Sequence, residues 1–269
     1  MSTHPIDAKP TRSPHLASHL VLALTLAAGC ATQQQPSGAT AAASSASTAA
    51  SAPRTPDAIL ADAVEATGGA AWYTHKTARL KLTIAFQGMA MGGPAEHFQT
   101  DTDKSLTITT LPGVGPISEG TNGRVFWSQD PVNGLRYLEG AEAEQARIEA
   151  CWNADLKAHE LYQKIEVAPD PPAGLECLVQ TPKAGAPIRN CYDRQSHLQV
   201  SQEGTRATAQ GDVPFRSSVK DWRTVGGIKM AYSSETQAGP ITIVTTINDV
   251  AFDQPMDDKM FVPPAPAAK

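Results

Sequence analysis

Between Arg79 and Phe86, the apolar residues Leu80, Leu82, Ile84 and Phe86 alternate with Arg79, Lys81 and Thr83. A period of two residues is that of a β-strand with one wet face and one buried face. The same alternation recurs at Phe98–Thr102, Ser105–Thr110, Ile117–Thr121 and Arg124–Ser128, and Asn122-Gly123 reads as a two-residue hairpin turn between the last two. Further strands are expected at Leu175–Thr181, Ile188–Asp193, Gln195–Gln202, Phe215–Val225, Lys229–Glu235 and Ile241–Val250, with turns at Asn133-Gly134 and Gly226-Gly227.

Two segments break this period. Thr55-Pro56-Asp57 offers a capping hydroxyl, a proline at the first helical position and an acid in the first turn. Ile59, Leu60, Ala63 and Val64 then form one apolar stripe that stops at Gly68-Gly69. A longer helical pattern covers Ala141 to Lys164, where Ile148, Trp152, Leu156 and Tyr162 fall near one face. The result is about eleven strands joined by short turns, with one helix before them and one in the middle. The fold class is therefore mainly β (α+β): an unclosed antiparallel barrel or curved sheet capped by two helices, a shape that tends to enclose an apolar cavity.

Composition divides the chain of 269 residues into four parts. Residues 1–29 hold Lys9 and Arg12 ahead of an uncharged run from Leu20 to Ala28, about nine residues where a membrane span needs about 20. That is a signal-peptide core. Ala27-Ala28-Gly29-Cys30 resembles a bacterial lipobox, although Leu26 stands four places before the cysteine rather than three. The resemblance implies lipidation of Cys30 and anchoring to a membrane, with Ala31 favouring the outer membrane facing the periplasm. The alternative is an ordinary secretory signal. Residues 30–54 are rich in Ala, Ser and Thr and bury nothing that offsets ordering, which predicts a flexible linker. Residues 55–264 form one domain, and 265–269 a short tail.

The net charge is −5, with Lys and Arg scattered, which argues against nucleic acid as a partner. In an oxidising compartment Cys151, Cys177 and Cys191 remain beside Cys30. Folding residues 175–200 about Ala184 brings Cys177 opposite Cys191 and predicts a disulfide there, closing a loop of about 15 residues and stabilising by roughly 3 kcal/mol. Three reduced, buried cysteines are the alternative.

Catalytic patterns are not found. His75, His97, His159 and His197 lack metal-ligand spacing, and Cys151 and His159, eight residues apart on one expected helix, stand about 12 Å apart, too far for a nucleophile and its base. Ser118 misses the Gly-x-Ser-x-Gly pattern by one position. The glycines at 92, 93, 113 and 115 lack a phosphate-loop lysine, so no nucleotide or other cofactor and no metal is expected. What remains is the apolar face: Leu82, Ile84, Phe86, Ile108, Val125, Trp127, Trp152 and Leu156 either line a ligand cavity or form the core. Met89 and Met91, flanked by glycines, suit an entry loop for acyl chains or simply extend a strand.

Across roughly residues 57–264 the chain resembles the outer-membrane lipoprotein-sorting proteins, the group that includes the carrier LolA and its receptor LolB. The resemblance rests on Ala66-Thr67-Gly68-Gly69, on Asn122-Gly123 with Trp127 following, on Gly134, Leu138 and Gly140, and on Leu161-Tyr162. It continues through Gly174 before Cys177, Tyr192-Asp193, Asp221-Trp222-Arg223 with Gly226-Gly227-Ile228-Lys229, and Asp258 to Phe261 with Pro263. It implies an unclosed barrel with a hydrophobic cavity that accepts a lipid or the acyl chain of a lipoprotein, without catalysis. A second reading is a structural or assembly lipoprotein that binds another protein and has no ligand cavity.

Overall fold

The computed structural model describes residues 54–265. Residues 1–53, on which Cys30, the expected leader and most of the expected linker fall, and residues 266–269 lie outside them. Helix α1 (Pro56–Ala66) starts where expected: Thr55 Oγ1 accepts from the Ala58 amide at 3.2 Å, and proline occupies the first turn. A 3₁₀ turn (Gly69–Tyr73) leads into the sheet.

The first half of the sheet is β1 (Thr77–Phe86), β2 (Gly92–Thr100), β3 (Ser105–Leu111), β4 (Gly115–Thr121), β5 (Phe126–Asp130) and β6 (Gly134–Tyr137). Two short helices follow, α2 (Gly140–Glu149) and α3 (Ala158–Leu161). The second half is β7 (Tyr162–Val167), β8 (Leu175–Pro182), β9 (Ile188–Asp193), β10 (Gln199–Thr208), β11 (Gly211–Val225), β12 (Ile228–Ala238) and β13 (Ile241–Phe252). All thirteen form one antiparallel sheet in the order β6-β5-β4-β3-β2-β1-β13-β12-β11-β10-β9-β8-β7. It is not closed. The two edges, β6 and β7, are consecutive strands in the chain, and the segment that joins them, residues 138–161, carries α2 and α3 from one edge to the other.

The two strands beyond the expected eleven are β6 and β7, and several boundaries differ for local reasons. β2 begins at Gly92, earlier than expected, because Gly92-Gly93-Pro94 hides a strand whose glycines fit under neighbouring backbone: a Cβ on Gly93 would lie 2.0 Å from Thr110 O. β6 has only four residues. The helix expected over 141–164 ends at Glu149, a second short one occupies Ala158–Leu161, and Tyr162 already opens β7. Asn153 stabilises the break, its Oδ1 accepting from the Leu156 amide at 3.0 Å. The β4–β5 connection has four residues, not two: Thr121 pairs with Phe126, and Asn122 Oδ1 accepts from the amides of Arg124 and Val125. Gly226-Gly227 does form a two-residue turn, with φ of 60° and 81° and Val225 paired to Ile228.

Register assigns the faces. Leu82 pairs with Ala95 and Ala95 with Thr109, so Leu80, Leu82, Ile84 and Phe86 share a face with Ala95, Thr107 and Thr109. Together with Met230, Tyr232, Ile243 and Ile247 they make an apolar floor at the centre of the sheet. The opposite face of the first half carries Phe98, Leu106, Ile108 and Trp127, covered by Met256, Met260 and Phe261 from the C-terminal segment, which ends in a 3₁₀ turn (Asp258–Phe261). α1 packs with Ile148, Leu161, Leu178 and Tyr192. Cys177 and Cys191 are direct cross-strand partners joined by a disulfide, with a sequence separation of 14.

Candidate functional site

The inner face of the sheet meets residues 138–161, and there the packing is incomplete. Apart from the Leu138 amide, which donates to Phe126 O at 2.9 Å, this plug is held by side chains. The Gln145 carboxamide binds the β10 backbone twice, donating to Thr205 O at 3.2 Å and accepting from the Ala207 amide at 3.0 Å. Gln99 Nε2 donates to the carbonyls of Ala150 and Cys151, capping the end of α2. Asp103, in the β2–β3 turn, accepts from the Trp152 amide at 2.9 Å and pairs with Lys157 at 2.8 Å. Arg136 and Glu142 join β6 to α2, and Arg206 pairs with Glu149.

Trp152 is the plug residue that joins the central apolar cluster. Only 6% exposed, it lies on the apolar floor, edge-on to Trp72 with ring centroids 6.0 Å apart, and donates its Nε1–H to Trp72 O at 3.0 Å. Two cavities lie between the plug and the sheet. One of about 60 Å³ lies under α2, lined by His97, Thr107, Glu119 and Gln145 among others. The other, about 120 Å³, is bounded by Trp72, Trp152 and Trp222 and by the polar residues Gln99, Asp155, Gln180, Asn190, Gln199 and Gln202.

The walls are therefore far more polar than the alternation predicts. Burial holds the His97 imidazole at about 4, so it stays neutral, with Nδ1 2.8 Å from Thr107 Oγ1. Burial raises Asp155 to about 6 despite the hydrogen bond it accepts from Tyr192 OH at 2.9 Å, which works the other way. Burial also raises the Tyr192 hydroxyl well above its ordinary value, so it remains a donor. Polar residues in a strand read as its solvated face, so the alternation hides these groups. The available signal was their phase: Gln180 follows Leu178 by two, and His97 follows Ala95 by two, so each shares its neighbour's inner face.

The expected cavity residues disperse. Leu82, Ile84 and Phe86 form the floor, Trp152 covers it, and Met91 packs against the same cluster. Ile108 and the Trp127 side chain belong to the opposite face, where Trp127 Nε1 donates to Phe261 O at 3.4 Å. Val125 sits in the β4–β5 loop and is 38% exposed, and Leu156 is half-buried in the plug. Met89 stands exposed in the β1–β2 turn. Register divides those residues between two faces, and of the eight only Trp127 and Trp152 border the two cavities.

Nucleophilic chemistry finds no support in this geometry. Burial pushes the Cys151 thiol up to about 12, so it carries no thiolate at neutral pH. His159 lies on α3 beyond the helix break and pairs with Asp57 at 2.9 Å. Ser118 sits inside β4, paired with Gln129 of β5. Among the described residues, no group of three or more His, Cys, Asp or Glu side chains could hold a metal ion.

No protein-family model matches the sequence, and no curated protein is significantly similar to it. Solved structures do match. A LolA superfamily protein from Nitrosomonas europaea aligns with a TM-score of 0.54 at 14% identity, over 78% of this chain and 98% of its own. A DUF1329 family protein from Desulfovibrio piger aligns at 0.52 and 12%, over 76% and 96%. An outer membrane lipoprotein-sorting protein domain from Vibrio parahaemolyticus gives 0.52 and 12%, over 75% and 95%. Identities this low speak for the fold alone: the chain shares the fold of these proteins, here a large unclosed antiparallel sheet with few helices.

Proposed function

We propose that this protein is a lipid-anchored component of the bacterial cell envelope, held through Cys30, whose half-barrel binds a lipid or acylated ligand and takes part in lipoprotein or lipid trafficking without catalysis. The observation that carries the reading is Trp152, a large side chain of the plug that covers an apolar floor and is retained by polar contacts at the plug's margins. Such an arrangement can exchange one apolar occupant for another. An acyl chain in Trp152's place would gain about 0.8 kcal/mol for each buried methylene. Cavities of 60 and 120 Å³ fall below the roughly 300 Å³ at which small-molecule sites begin, so the acyl-bound state requires the plug to move outward. Met91 beside the floor and Met89 in the adjoining turn would border the entry.

Lipid extraction and native mass spectrometry of the full chain carrying Cys30→Ser test the reading, with a fluorescent fatty acid as the second probe. Bound lipid and saturable, displaceable fluorescence are expected. Repeated recovery without lipid, together with no fatty-acid binding, refutes the carrier and leaves the assembly role, which the small volume of the present cavities favours. The anchor is tested separately: labelled palmitate enters the wild-type chain and not the Cys30→Ser chain.

A further inference from the structure

A row of carboxamides crosses the second half of the sheet toward the larger cavity. Gln199 Nε2 donates to Asn190 Oδ1 at 2.8 Å, and Asn190 Nδ2 donates to Gln180 Oε1. The row then stops. Gln180 is 1% exposed, lines the cavity, and its Nε2 has no partner; the buried indole Nε1 of Trp222, which lines the same cavity, has none either. Buried donors without acceptors are costly, and two at one cavity call for an occupant that supplies acceptor oxygens. Reversing the carboxamide row leaves an acceptor at the same end, while Trp222 can only donate. A hydroxyl group is both donor and acceptor and satisfies either case.

We propose that this cavity is a binding site for one uncharged, hydroxylated ring or small polyol, toward whose oxygens the Gln180 and Trp222 side chains, their donor nitrogens covered in this structure, turn to pair. The size admits a small polyol such as glycerol as it stands: an apolar cavity of about 150 Å³ accepts a benzene ring and this one holds about 120 Å³, so a six-membered sugar ring enters with an outward shift of the plug. The walls fit as well. Trp72, Trp152 and Trp222 give aromatic surfaces to the C–H faces of a sugar-like ring, while the amides meet its hydroxyl edge. Asp155 is an additional acceptor for a ligand hydroxyl, and the two carboxyl groups at the cavity, Asp155 and Glu149, outnumber its one cation, Lys229, which disfavours an anion. The ligand is either a free sugar or polyol, or the sugar headgroup of a lipid. Neither requires the acyl-chain reading to hold.

The full chain carrying Cys30→Ser is titrated with D-glucose, myo-inositol and glycerol as free probes, with octyl glucoside below its micelle concentration, and with octanoic acid. Saturable binding of at least one free probe is expected. Equal affinity for glucose and octyl glucoside identifies a free-sugar site, and a gain of tenfold or more for octyl glucoside identifies a headgroup site. Trp222→Phe removes one donor and keeps the ring, and should weaken binding of the hydroxylated probe about three- to tenfold. Gln180→Leu should weaken it at least as much, and octanoic acid should be insensitive to both substitutions. If no hydroxylated probe binds at tens of millimolar, or if binding ignores both substitutions, the cavity holds ordered water only and the proposal is overturned. Octanoic acid binding in that event leaves the acyl-chain reading standing. Glucose binding without octanoic acid binding has the opposite meaning.

Discussion

Replacing Trp152 with alanine isolates the contact on which ligand exchange would turn. The indole is 6% exposed, packs into the central apolar cluster beside Trp72, and donates one hydrogen bond to Trp72 O. Truncating a buried Trp costs about 3 to 5 kcal/mol. If the plug opens as a unit, that cost falls on the closed state. With about 1.4 kcal/mol per factor of ten, the open fraction rises a few hundred- to a few thousand-fold. Apparent affinity for an acyl ligand that needs the open state should tighten with that fraction until opening saturates. Amide hydrogen exchange reports it directly: Gly140–Glu149 should lose protection while β1 and β13 retain theirs, and fatty-acid titration should show tighter binding. If exchange accelerates equally in β1, β13 and α2, or fatty-acid affinity does not improve, then Trp152 is an ordinary core residue and the plug is not a separable unit.

Three further outcomes follow from individual contacts. Reducing Cys177–Cys191, or replacing both with serine, should remove about 3 kcal/mol by freeing the denatured chain, a fall in Tm of about 6 to 12 °C by calorimetry for a domain of this size. His75 has two acceptors beside its ring, Gly226 O 2.7 Å from Nε2 and Asp253 Oδ2 2.7 Å from Nδ1; only the protonated ring can donate to both, which raises its pKa above 6.5. The folded state therefore binds the proton more tightly than the unfolded one. The added stability is fully present below pH 6.5 and fades as pH rises through the raised value, so urea midpoints of wild type and His75→Asn should differ most at pH 5.5 and converge by pH 9. Gly120→Ala would place a methyl 2.7 Å from Trp127 Cζ2 and 3.0 Å from Ser105 O, so it should cost about 1 to 3 kcal/mol in denaturant titration and change the near-UV circular dichroism.

The parts of this fold that are legible in the sequence are those where one local rule decides the outcome. Thr55-Pro56 fixes a helix start, the alternation from Leu80 to Phe86 fixes a strand and its buried face, and Gly226-Gly227 supplies the positive φ angles of a tight hairpin. Where tertiary contacts decide, the pattern misleads. Residues 150–157 carry a helical stripe, yet Trp152 gains more on the sheet floor than on a continuous helix, and Gln99 takes up the carbonyls the break exposes. β7 is an edge strand with Lys164 and Glu166 on it, so it lacks the apolar density that marks interior strands. The candidate site was the least legible part. Its defining groups are amides from strands far apart in sequence, and only the register of β8, β9 and β10 brings Gln180, Asn190 and Gln202 to one wall.

The pairing of β1 with β13 joins residues such as Leu80 and Val250, far apart in the chain, whereas every other neighbouring pair in the sheet is consecutive. Each half can therefore assemble as a run of local hairpins, and only their seam requires closing a loop nearly as long as the domain. That predicts a slow final step in which two preformed sheets dock along their inner edges, with the unpaired backbone of β1 and β13 exposed until then. Chains that stall before docking would present those two apolar strands to each other between molecules, making exchange of halves the characteristic misfolding hazard of this architecture.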